Sequence, residues 1–128
     1  MKQEIIAVDF DGTLCSTAYP GIGKRHLIHK IVAAYIRYKK KHGCIIVLNT
    51  LRDKHNKEQG PEPLNRAVEA CKSWNIPIDY VNDNPRRLTE EWGYSRKIAA
   101  DRFLDDRNVG MLGWLLRACS KTGYKHDK

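Results

Sequence analysis

Ile5-Ile6-Ala7-Val8 is a continuous apolar run with β-branched residues, and it stops at Asp9. A strand with one face in water alternates apolar with polar residues, so a run without alternation must be covered on both faces. Cys44-Ile45-Ile46-Val47-Leu48 repeats the pattern. Strands buried on both faces belong to parallel sheets whose connections are helices. These two runs therefore point to an α/β architecture.

The segments between and after them agree. A helix is expected from about Lys24 to His42, with Ile28, Ile31, Val32 and Tyr35 at i, i+3, i+4, i+7 and Gly43 as its stop. A second is expected from about Pro61 to Trp74, with Leu64, Ala67, Val68, Cys71 and Trp74 on one face. Ile78 to Val81 reads as a third strand, 82–97 as irregular, and Arg102-Phe103-Leu104 as a fourth strand. A last helix from about Gly110 to Cys119 carries Met111, Leu112, Leu115 and Leu116. This order gives one doubly wound parallel sheet with helices on both faces, in a single domain over 1–128.

Composition narrows the function classes. The longest strictly apolar run, Ile31 to Ile36, has six residues, whereas a membrane span needs roughly 18 or more. No secretory signal is seen, and the four cysteines form no C-x-x-C pair. Buried thiols and a cytoplasmic location are expected. The net charge is +8, and seven Lys/Arg with no acid lie between Lys24 and His42. Such a strip is either a solvated helix face or a surface that attracts nucleic-acid phosphate.

In open α/β sheets, ligands bind beyond the carboxyl ends of the strands. The polar residues gather there. Asp9 and Asp11 follow strand one, Asn49, Thr50 and Arg52 follow strand two, and Asp105 and Asp106 follow strand four. Asp9-Phe10-Asp11-Gly12-Thr13 is not a calcium EF-hand loop, because Thr13 and Leu14 stand where an acid or Asn and then Gly are needed. Gly21-Ile22-Gly23-Lys24 is not a P-loop, because Ala18 replaces the first Gly and Arg25 the magnesium-binding hydroxyl. The histidines at 26, 29, 42, 55 and 126 have no metal-like spacing. Two carboxylates two residues apart can divide attack and proton transfer between them. Four near one crevice repel, which suggests a bound cation such as Mg²⁺. As mere helix or turn caps, these carboxylates would not call for Lys97 or Thr50.

The motifs resemble those of the haloacid dehalogenase (HAD) superfamily. Asp9 to Thr13 is similar to its D-x-D-G-T motif, and Val47-Leu48-Asn49-Thr50 to its strand ending in Ser or Thr. Lys97 stands for its lysine, and Phe103-Leu104-Asp105-Asp106 for its acidic pair. The stretch from Ser95 to Asn108 looks most like small capless bacterial hydrolases of that superfamily. The resemblance implies a strand order of fourth, first, second, third. It implies Asp9 as the nucleophile that forms an aspartyl-phosphate, and Asp11 as proton donor and then base. Thr50 and backbone N–H groups near Phe10 and Asp11 would hold the phosphoryl group, and Lys97 would balance charge. Asp9, the Asp11 carbonyl, Asp105 and Asp106 would form the Mg²⁺ site. An acid at position 11 points to phosphate-ester hydrolysis rather than carbon–halogen cleavage.

The windows where that superfamily inserts caps, Leu14 to Gly23 and Asn82 to Arg96, hold 10 and 15 residues, too few for a folded cap. Open members act on macromolecules or borrow a lid from a second subunit, so a nucleic-acid end and a homo-oligomer are both expected partners. The polar stretch 53–60 is either a flap or an insertion. Arg52 is either a substrate contact or half of a surface ion pair. Tyr19 and Pro20 are either substrate contacts or packing.

Overall fold

In a computed structural model, the protein is described at residues 3–52, 61–95, 97–107 and 110–120. The stretch 53–60, read as a flap or an insertion, lies outside them. Eight elements follow in the order β1 (Ile5–Val8), α1 (Leu27–Lys41), β2 (Ile45–Leu48), α2 (Glu62–Ser73), β3 (Tyr80–Val81), α3 (Arg86–Trp92), β4 (Arg102–Leu104) and α4 (Met111–Ser120). The strands form one parallel sheet in the order β3-β2-β1-β4. β1 is central, with Val8 opposite Leu48 on one side and Leu104 on the other.

The unbroken apolar runs are explained by two cores. Ile6, Val8, Ile46 and Leu48 point to one face, where they meet Val32, Ala33, Ile36, Ala67, Cys71 and Leu116. Ile5, Ala7, Ile45 and Val47 point to the other and meet Ile98, Leu88 and Ala100. The faces are unequally covered. Residues of α1, α2 and α4 pack on the first face, whereas α3 and the extended 98–100 segment cover the second. Cys15, Cys44 and Cys71 are buried thiols. Among the described residues no helix is long and apolar enough to cross a membrane, and no cap domain is present.

Three features differ from the sequence expectation. The stretch 82–97, read as irregular, contains α3. A seven-residue helix with no buried residue of its own leaves little amphipathic signal. α1 starts at Leu27, not Lys24, because Lys24 is paired with Ser16: Ser16 N–H donates to the Lys24 carbonyl, and Lys24 N–H donates to Ser16 Oγ. Gly23 permits this approach, since a Cβ there would fall on the Ser16 carbonyl.

The third difference is the buried face of α1. It is His29, Val32, Ala33 and Ile36, one position on from the expected Ile28, Ile31, Val32 and Tyr35. Ile31 is 53% exposed. A histidine reads as polar in a sequence pattern, but His29 is buried, with its Nδ1 accepting the His26 N–H at 2.9 Å. On α4, likewise, Leu116 is buried while Leu112 and Leu115 stay largely exposed.

Burial, with His26 and Arg25 nearby, pushes the His29 pKa down to about 4. An ordinary histidine titrates near 6.5. His29 therefore contributes stability that is complete above pH 6.5 and is lost as the pH falls towards 4. The stability advantage of the wild type over His29→Gln, measured as the Tm difference, is expected to shrink steadily between pH 7 and pH 4. A constant difference would show that His29 is not held neutral by its site.

Candidate metal and phosphate site

Parallel pairing brings several chain segments out at one edge of the sheet. Past the strand ends the ladder continues: Asp9 N–H donates to the Leu104 carbonyl at 2.9 Å, Asn49 N–H to Val8 at 2.8 Å and Asn82 N–H to Leu48 at 2.8 Å. The segments carrying Asp9, Thr50 and Asp105 are thus held side by side.

After Asp9 the chain turns tightly. Leu14 N–H returns to the Phe10 carbonyl, and Gly12 takes φ 87°, a left-handed conformation that favours glycine. The turn buries Thr13 completely, and its Oγ1 accepts the Asp106 N–H at 3.1 Å. This bond fastens the acidic pair after β4 against the turn after β1. The result is a triad: one carboxylate oxygen from each of Asp9, Asp105 and Asp106 lies within 4.8 Å of the others.

The triad is electrostatically uncomfortable without a counter-charge. Like charges about 4 Å apart at an effective dielectric near 20 repel by about 4 kcal/mol. Burial first, then Asp105, Asp106 and Asp11, push the Asp9 pKa up to about 8, against the lowering effect of the Phe10 N–H on Asp9 Oδ1. Burial and Asp105 push Asp106 up to about 6. Three oxygen donors without nitrogen or sulfur, from groups that resist ionising together, suit a hard divalent cation such as Mg²⁺. On the chemistry of the donor set, the residues fit that ion.

Asp11 lies apart from the triad, although its charge is felt at Asp9. Arg52 grips its carboxylate from two directions: Nε donates to Oδ2 at 2.8 Å and Nη2 to Oδ1 at 2.7 Å. Of the two expected roles, substrate contact or surface ion pair, the structure shows an ion pair, and a buried one, since Arg52 is 2% exposed. Its guanidinium also donates to the carbonyls of Pro20, Gly21 and Pro63. An arginine this deep is satisfied only by such a set of partners.

Thr50 is half-buried beside β1. Its N–H donates to Asn82 Oδ1 at 2.8 Å, and its Oγ1 accepts the Arg52 N–H at 3.1 Å. The hydroxyl proton is thereby left to donate elsewhere. The Phe10 N–H is taken by Asp9 Oδ1. Lys97 is exposed, and among the described residues it forms no ion pair with the triad. Tyr19 has its ring 5.2 Å from the Arg52 guanidinium carbon.

Three positioning residues escaped sequence reasoning. Thr13 closes the Asp9–Thr13 motif, and nothing in the motif itself points to its bond with Asp106. Asn82, at φ 53°, holds both the Thr50 N–H and, through Nδ2, the Arg52 carbonyl. Asn84 accepts the Ala99 N–H and donates to the Lys97 carbonyl, which anchors the segment bearing that lysine. The signal available was an Asn directly after β3 for Asn82 and an Asn directly before Pro85 for Asn84, both residues suited to turns.

The basic strip is partly neutralised within the fold. Lys39 pairs with Glu4 and Lys40 with Asp79, each at 2.7 Å, and Arg37 donates to the carbonyls of Trp74 and Asn75.

No family model and no curated protein matches the chain. A solved structure does: a conserved protein coded by a locus of Bacteroides thetaiotaomicron. It superposes with a TM-score of 0.67 at 27% identity, over 90% of this chain and 88% of that one. The comparison supports the α/β fold across nearly the whole chain.

A carboxylic acid whose folded pKa is raised loses stability as the pH climbs from its ordinary value to the raised one. For Asp9 that window runs from about 4 to about 8. With EDTA present, Asp9→Asn is expected to gain Tm relative to wild type across this window, reaching about 5 °C at pH 8. Adding Mg²⁺ should raise the wild-type Tm and leave the variant almost unmoved. Equal Mg²⁺ responses would show that Asp9 is not part of a cation site.

Proposed function

We propose that the protein is a Mg²⁺-dependent phosphomonoester hydrolase that works through an aspartyl-phosphate, in the manner of the HAD superfamily its motifs resemble. The observation that carries this reading is the meeting of Asp9, Asp105 and Asp106 at the carboxyl edge of the sheet, beside Thr50. A structural role does not require carboxylates to converge where they repel.

Asp9, Asp105 and Asp106 would hold the cation, which when bound neutralises part of the charge on the substrate phosphate. Asp9 is fixed by the Phe10 N–H on one oxygen and by its own N–H in the β4 ladder. An anchored carboxylate suits attack on phosphorus, with the leaving oxygen opposite. Asp11 would give a proton to the leaving oxygen as the aspartyl-phosphate forms and take one from the water that hydrolyses it. The Thr50 hydroxyl donates to a phosphoryl oxygen, since its own acceptor side is occupied by the Arg52 N–H. Lys97 adds positive charge once phosphate arrives. The edge has no cap among the described residues, so substrates need not be small.

Release of p-nitrophenol from p-nitrophenyl phosphate tests the reading. Activity is expected with Mg²⁺, none with EDTA, and a loss of about a thousandfold or more in Asp9→Asn. Phosphorylated oligonucleotides, included in the substrate panel, probe a nucleic-acid end as substrate. Absence of hydrolysis across a broad phosphomonoester panel, or activity that survives Asp9→Asn, would remove the proposal.

A further inference from the structure

The proposed chemistry leaves Arg52 without a direct task, yet it is the best-satisfied side chain near the site. Its five hydrogen bonds reach four places: Asp11, the Pro20 carbonyl, the Gly21 carbonyl and the Pro63 carbonyl. Its guanidinium carbon lies 5.0 Å from the Phe10 ring and 5.2 Å from the Tyr19 ring. Phe10 stacks in parallel on Trp74, with centroids 6.0 Å apart, and the Arg25 guanidinium lies over the Trp74 ring, 4.5 Å from its centroid. The cage matches a guanidinium in particular. It offers a carboxylate to the two-pronged edge, carbonyls to the remaining N–H groups and ring faces to the flat sides.

What this cage joins matters more than its strength. Asp11 follows Asp9 by two residues, Pro20 and Gly21 belong to the loop between β1 and α1, and Pro63 opens α2. Arg52 itself follows Thr50, and Thr50 Oγ1 accepts its N–H. One side chain thus links the two strand-end turns of the site to the loop beside it.

We propose that Arg52 is a positioning residue: it holds the Asp11 carboxylate in one orientation and latches the Tyr19–Gly21 loop to it, so that carboxylate and loop act as one unit. The catalytic half of this inference rests on the phosphatase reading; the latch does not. A lysine in its place keeps the charge but carries three donors on one nitrogen instead of five on a planar fork, and so cannot serve Asp11 and three carbonyls together.

The test uses the full chain with Arg52→Lys, Asp11→Asn and the double variant. Hydrogen–deuterium exchange reads the latch directly. Amides of residues 17–23 are expected to exchange about tenfold faster or more in Arg52→Lys, with β1 amides unchanged. If Arg52→Lys does not fold, Asp11→Asn carries this measurement, with faster exchange in the same residues. Unchanged exchange in the folded variant overturns the latch.

Kinetics with p-nitrophenyl phosphate and Mg²⁺ read the positioning role. Arg52→Lys should lower kcat while KM stays within about twofold, and the double variant should be no slower than Asp11→Asn alone, because Arg52 acts through Asp11. Losses that multiply in the double variant overturn the positioning role. A wild type inactive on every phosphomonoester removes the phosphatase reading and the positioning role together, while the exchange result still decides the latch.

Discussion

Parallel pairing of β1 with both β2 and β4 sends consecutive chain turns out of the same edge of the sheet. Everything at the candidate site depends on this geometry. An antiparallel neighbour would put its following turn at the opposite edge, and Asp105 and Asp106 would lie a strand's length from Asp9. The register completes the alignment, because Val8, Leu48 and Leu104 are paired across three strands and the first polar residue after each falls at the same height. The strands are only two to four residues long, so hydrogen bonds beyond their ends do much of the fastening.

Two kinds of charge are held at that edge, and they are managed differently. In the triad of Asp9, Asp105 and Asp106, burial first and the neighbouring carboxylates second push Asp9 and Asp106 above the ordinary carboxylate range. Asp11 is compensated by an arginine that is itself almost fully buried. Removing one member of such a pair leaves a buried charge without its partner, at a cost of about 3–5 kcal/mol. The contrast separates three carboxylates that repel one another from one whose charge an arginine already balances.

Much of the architecture was legible because it rests on local signals. Unbroken β-branched runs marked β1 and β2, and the strand order agrees with what the motif resemblance implied. α2 buries Leu64, Ala67 and Cys71, as its periodicity suggests, because nothing polar interrupts its apolar stripe. The failures have identifiable causes. α3 carries no buried residue, so it shows no helical face to read. α1 is turned by one position because a hydrogen-bonded histidine was counted as polar.

By itself, the sequence determined which residues stand at the strand ends: Asp9, Asp11 and Thr50 follow unbroken apolar runs that must be covered on both faces, and Asp105 and Asp106 follow the short Arg102-Phe103-Leu104 strand. The tertiary structure decided how those residues are partnered. The side-chain direction of Asp11, the burial of Arg52, the Thr13 bond to Asp106 and the anchoring of Thr50 by Asn82 all join residues 30 or more positions apart. Hydrophobic pattern is written along the chain at spacings of two to four residues, so it is readable there. Long-range polar partnership depends on where a guanidinium or an amide finds its last unfilled acceptor, and that exists only once the chain has closed around it.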